Sequence, residues 1–271
     1  MKMKIGLTRI VTICLINFLL NYLLLFPLGL FKYLETEDLS MFALVGVVVS
    51  GIPAIATLMF YKFIDKKPVS TLGFKMKKTD VVFSILSITV TVALYFVYIL
   101  IASKVGVVSA EWNTEAFTKG SFYLLLFLTF ISWFTAAFYE EVLFRGYFVA
   151  NLKFLSPIKL YIVTSIIFMV FHIFRGLPLI NIVILMGMSC VFLYIYLKSG
   201  SLMPSIFAHL IFNLTCTHLV GTSDIAILKY TGDPGILNLV IIIIYATAQI
   251  ILAKTIYHNK QLKTNIQKVT T

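Results

Sequence analysis

A helix needs about 20 consecutive apolar residues to cross the hydrocarbon core of a bilayer. This chain of 271 residues holds eight stretches at or near that length. They run over residues 10–31, 41–60, 81–102, 121–139, 160–174, 179–197, 202–220 and 236–257. A soluble globule could not bury them. Apolar residues make up 60% and charged residues 12%, against roughly 45–50% and 25% in ordinary soluble domains. The mean hydropathy is +1.00. These values exclude a soluble enzyme, a disordered chain and a secreted disulfide scaffold. The expectation is an all-α polytopic membrane protein with about eight transmembrane helices, a single integral membrane domain over 1–271. The first run follows Lys2, Lys4 and Arg9 like a signal peptide, but it is too long for one and has no small-x-small cleavage site, so it reads as the first span. The fifth run is short, which places its helix start near Pro157, among its neighbours. The fourth extends past Tyr139, because EEVLFRGYFVANL keeps a helical pattern.

The net charge of +11 would suggest nucleic acid in a soluble protein. Here it points to Lys- and Arg-rich cytoplasmic loops. With both termini in the cytoplasm, 17 of the 22 Lys and Arg fall on that side and 5 on the other, which also requires an even number of spans. The expected partners are membrane lipid and a peptide or membrane-protein substrate, with no nucleic acid. Cys14, Cys190 and Cys216 lie inside apolar runs and read as small buried hydrophobes.

An ionisable group inside a span costs about 2.5–3.5 kcal/mol on insertion scales, which makes it a functional candidate. The costly residues gather in the fourth, fifth and seventh runs: Glu140, Glu141, Arg145, His172, His209 and the amide Asn213. Asn17 and Asn21 read as glue between helices. Glu141 and Arg145 stand four apart with the acid first, the better order for a helical ion pair. They read as a structural pair. Glu140 points about 100° away, toward another surface. Its plainer reading is a charge snorkelling to the interface. His172 closes FMVFH, with Phe168 one turn earlier on the same face. His209 and Asn213 share a face in HLIFN. Taken singly, each is more simply a helix–helix hydrogen bond. His218 and His258 receive no role.

Together these residues carry more. At 1.5 Å per residue, Glu140, His172 and His209 should lie roughly 10–20 Å from the cytoplasmic helix ends, around one polar cavity. A carboxylate takes a proton from water, an imidazole orients it, and N–H donors hold an oxyanion, which is a kit for hydrolysis.

EEVLFR (residues 140–145) resembles the E-E-x-x-x-R motif of the CAAX protease and bacteriocin-processing family, also called Abi intramembrane proteases. FMVFH (168–172) resembles its F-x-x-x-H motif, and HLIFN (209–213) its H-x-x-x-N motif. All three stand in family order over about 75 residues, within a catalytic core of 121–220. The resemblance implies an intramembrane endopeptidase in which Glu140 is the general base and His172 positions the water. His209 and Asn213 would stabilise the oxyanion, with Glu141, Arg145 and Phe168 as structural support. Eukaryotic members remove the last three residues of prenylated CAAX proteins. Bacterial members are linked to bacteriocin immunity, peptide maturation and surface display. The Lys-rich, Cys-poor chain reads as bacterial, in the cell membrane.

Two other classes compete. A proton-coupled transporter would use Glu140 and the histidines as a relay, but the inverted repeats and paired broken helices of such proteins are missing. A non-catalytic immunity or scaffold protein would keep the fold alone, against which the intact motifs argue. Family descriptions often say metalloprotease, and Glu140, His172 and His209 could supply three zinc ligands. Against zinc stand the absence of H-E-x-x-H and the poor fit of Asn213 as a zinc ligand. No cofactor is favoured, with zinc as the alternative.

Overall fold

The computed structural model describes residues 2–34, 38–173, 179–223, 225–233 and 237–258. Four of the basic residues counted above, Arg175, Lys260, Lys263 and Lys268, lie outside that set, as does the end of the run 160–174. The described chain is an all-α membrane protein. Seven helical segments are long and apolar enough to cross a bilayer: Met3–Leu25, Leu39–Ile64, Lys78–Lys104, Gly120–Leu152, Leu179–Ser199, Leu202–Leu219 and Leu237–Ile256. The eighth expected span is the 14-residue helix Pro157–Val170. It is roughly 21 Å long at 1.5 Å per residue, short of the ~30 Å hydrocarbon core. Pro157 starts it, where a missing N–H costs nothing.

In chain order the helices are α1 (Lys2–Leu25), α2 (Phe31–Leu34), α3 (Leu39–Met59), α4 (Lys78–Lys104), α5 (Gly120–Glu141), α6 (Phe148–Leu152), α7 (Pro157–Val170), α8 (Leu179–Ser199), α9 (Leu202–Leu214) and α10 (Leu237–Ile256). Three turns are π-helical, Phe60–Ile64, Val142–Tyr147 and Thr215–Leu219. The second joins α5 to α6 without a break, so the helix does run on past Tyr139.

The two ends of the bundle are built differently. At the end opposite the termini, three short strands form a sheet in the order β1 (Ser109–Trp112), β3 (Leu228–Thr231), β2 (Val220–Gly221). β1 runs antiparallel to β3 and β2 parallel to it. This small sheet was not foreseen. It satisfies the loop peptides where three spans leave the membrane together.

The end bearing the termini is closed by packing. Tyr61, Leu72, Tyr147, Phe148, Tyr196 and Leu202 are all buried there. Gly73 holds a left-handed φ of 94° against Gly200 and Ser201. Its carbonyl accepts from Leu202 N at 2.8 Å. The Tyr196 hydroxyl donates to Leu72 O at 3.2 Å. Arg9 Nε pairs with the buried Asp65 at 3.0 Å, and Asn151 Nδ2 donates to the same carboxylate at 3.2 Å. Asp80 accepts from the Tyr257 hydroxyl at 3.0 Å and from Lys77 N at 2.9 Å.

Polar side chains also tie the spans together in mid-membrane. Asn17 Nδ2 donates to Thr57 at 3.2 Å, and Asn21 Nδ2 to the Tyr139 hydroxyl at 3.3 Å, the glue expected of that pair. Gln249 joins Ser87 and Thr91 at 2.9 and 3.2 Å. The three cysteines are free and half-buried.

Candidate active site

Glu140 and Glu141 end α5 on two different surfaces. Glu141 is fully buried and Arg145, four residues on, is 1% exposed. Nη1 of Arg145 stands 3.0 Å from Glu141 Oε1. That nitrogen makes no aligned hydrogen bond, so the contact is ionic. Nη2 donates to Ser189 O at 3.1 Å. The guanidinium sits over the rings of Phe168, Phe192 and Phe144 at 4.9, 5.5 and 6.0 Å, which compensates part of its desolvation. Arg145 is therefore an interior residue. It does not belong with the basic groups of the loops, where the charge count placed it.

The same Glu141 oxygen accepts from Nδ1 of His209 at 2.9 Å. A carboxylate has nothing to donate, so Nδ1 carries the proton and Nε2 is turned away. Nε2 lies 3.6 Å from Glu140 Oε2. Phe192 stacks on the His209 ring at 4.5 Å and 16°. The role of Glu141 is thus wider than the ion pair read from spacing, because it also orients an imidazole.

His172 follows the same rule. It stands just past the end of α7, and its Nδ1 donates to the Phe168 carbonyl at 2.9 Å. Its Nε2 faces Glu140 Oε1 at 3.7 Å. The rings of Phe168 and His172 are 4.7 Å apart, on one face as expected. The Glu140 carboxylate therefore sits between two imidazoles, each presenting Nε2. Neither distance is a direct hydrogen bond.

Glu140 and His172 lie at the floor of a cavity of about 390 Å³. Phe18, Phe42, Trp133, Phe144 and Phe171 give it aromatic walls, and Gly46, Ser50, Ser132 and Ala136 give it a small-residue wall. The cavity extends from Glu140 away from the termini, along the last turns of α1, the first half of α3 and the second half of α5. The motif spacing could not show this, because half of the lining residues come from α1, α2 and α3, which carry no motif. His209 is near the floor but does not line the cavity. Asn213 does not line it either, and among the described residues its side chain makes no hydrogen bond. Its carbonyl accepts from Cys216 Sγ at 3.7 Å.

A residue that received no role is also engaged. His218 is buried, and its Nδ1 accepts from Trp133 Nε1 at 3.1 Å. Phe42 packs on its ring at 5.3 Å. His218 lies within the π-helical turn Thr215–Leu219, which the sequence does not reveal.

Among the described residues, no three His, Cys, Asp or Glu side chains form a group suited to a metal ion. Glu140 presents a different oxygen to each imidazole.

No curated protein and no solved structure matches the chain. Residues 122–215 match the family model described as Type II CAAX prenyl endopeptidase Rce1-like. That segment contains all three motifs and every residue of the Glu140–Glu141–Arg145–His172–His209 constellation. Over residues 122–215, the helical core built around Glu140 is therefore similar to the Type II CAAX prenyl endopeptidase Rce1-like family.

Proposed function

We propose that the chain is an endopeptidase that hydrolyses a peptide bond within the membrane by means of a water activated by Glu140. The observation that carries this reading is the Glu140 carboxylate, held at a cavity floor between Nε2 of His172 and Nε2 of His209 at 3.7 and 3.6 Å. Both Nδ1 atoms are committed as donors. In the neutral rings, both Nε2 atoms therefore accept. A water between them and Glu140 is held with its protons directed at acceptors and its lone pair free for a carbonyl carbon.

Glu140 takes the proton as the water attacks. The tetrahedral oxyanion then needs donors. The Asn213 amide, one turn beyond His209, is one. Glu140 returns its proton to the departing amine, and the acid is regenerated as a carboxylate. No metal enters any step. By resemblance to bacterial members, the activity serves peptide or protein maturation, bacteriocin immunity included. Purified protein tests the reading: it cleaves a membrane-inserted polypeptide, and Glu140→Gln does not.

A further inference from the structure

We infer that the site takes its substrate from the face of the membrane opposite the chain termini, and that this substrate is an exported or outer-leaflet polypeptide presenting a large apolar side chain. The inference rests on the peptidase reading and adds a direction and a substrate class to it. Three independent observations meet here.

The first is depth. Glu140 lies 12 residues from the Leu152 end of its helix, about 18 Å at the helical rise. That whole distance is filled. Tyr61, Tyr147, Phe148 and Tyr196 are at most 2% exposed, and the loop holding Gly73 is bonded onto the α8–α9 turn. A peptide approaching from the side of the termini meets packed aromatic side chains.

The second is the course of the cavity. Its walls reach Leu25 at the last residue of α1, Phe31 and Leu34 in α2, and Phe42 in the first turn of α3. All lie at the far end. Thr217, near the far end of the α9 span, is an exposed lining residue. Hydrolysis consumes water, so this is also the route by which water arrives.

The third is charge. Lys62, Lys66, Lys67, Lys75 and Lys78 cluster at the end of the termini, whereas Lys32, Lys104, Lys119 and Lys229 are dispersed over the other. The excess marks the end of the termini as cytoplasmic, so the cavity faces outward. Among the described residues that line it, the ionisable groups are Glu140, His172 and the Tyr139 phenol, all at the floor. A charged side chain would lose its hydration there without a partner, whereas an aromatic or branched aliphatic one would be covered by Phe18, Phe171 and Trp133.

Single cysteines in a chain lacking Cys14, Cys190 and Cys216 test the direction, probed with a small membrane-impermeant cationic thiol reagent on intact cells. Lys104→Cys and Lys75→Cys report the two ends, and Thr217→Cys reports the cavity. Each variant is first required to match the parent in thermal unfolding. The expected result is that Lys104→Cys and Thr217→Cys react as completely in intact cells as after permeabilisation, while Lys75→Cys reacts only after it. Any other pattern overturns the inference, including a Thr217→Cys that reacts only after permeabilisation or never.

In parallel, right-side-out vesicles should cleave an added water-soluble peptide with a Phe or Leu at its centre, and inverted vesicles should not. Cleavage by inverted vesicles alone overturns the direction. If detergent-purified protein cleaves nothing, the peptidase reading fails, and the thiol pattern still decides the cavity's direction.

Discussion

Nδ1 of His209 lies 2.9 Å from Oε1 of Glu141, a residue 68 positions earlier in the chain. This bond leaves Nε2 of His209 facing Glu140. Adjacent acids on one helix thus serve one imidazole from opposite sides, Glu141 by holding it and Glu140 by sharing its reactive face.

Glu141→Gln should therefore fail in two ways. It leaves the Arg145 guanidinium buried without its counter-ion, a loss of about 3–5 kcal/mol for a broken buried pair. It also weakens the restraint on the His209 ring. Thermal unfolding in detergent should show a marked fall in stability, and the fraction that stays folded should have reduced kcat. A Glu141→Gln protein as stable as the parent would contradict the buried pair.

Phe192 belongs to the same device. Its ring lies 4.5 Å from that of His209 and nearly parallel to it. An aromatic pair of this kind contributes about 0.5–1.5 kcal/mol. Phe192→Leu should lower kcat by up to about tenfold with KM little changed, because Phe192 does not line the cavity. A change in KM alone would place it against substrate instead.

Asn213 separates ground state from transition state. Its side chain has no hydrogen bond among the described residues, so removing it leaves nothing unpaired. Asn213→Ala should keep the parental unfolding temperature and lose about 10²–10³ in kcat, the range for an oxyanion donor. Unchanged turnover would remove Asn213 from the mechanism.

Metal content is a separate test. The account expects zinc well below stoichiometric in active protein, and activity that survives chelation. Near-stoichiometric zinc, with activity lost on chelation and restored by zinc, would make Glu140, His172 and His209 a ligand set after all.

The costs that a membrane imposes explain which parts of this site were legible in the sequence. An acid or imidazole in an apolar run is conspicuous, so Glu140, Glu141, His172 and His209 stood out, and the Glu141–Arg145 spacing gave their ion pair. The partners that aim them are apolar or distant. Phe192 is one phenylalanine among 24, and nothing in a helical period says that it covers His209. Gln249, inside the last apolar run, is also expensive, and no motif marks it. The direction of the cavity depends on α1 and α3 packing against α5, which no local pattern encodes. The 14-residue α7 shows the reverse case. Its shortness was plain in the sequence, and it places His172 just past the helix end, inside the bundle.

Turnover by Glu140→Gln tests the central claim most directly. The amide keeps the shape of the carboxylate but cannot take a proton. Glu140 takes no part in the Glu141–Arg145 pair, so the variant should unfold within a few degrees of the parent. Cleavage of a membrane-inserted polypeptide by the purified protein should fall by about 10²–10⁴, the contribution of a general base. A folded Glu140→Gln protein that cleaves at the parental rate would contradict the account.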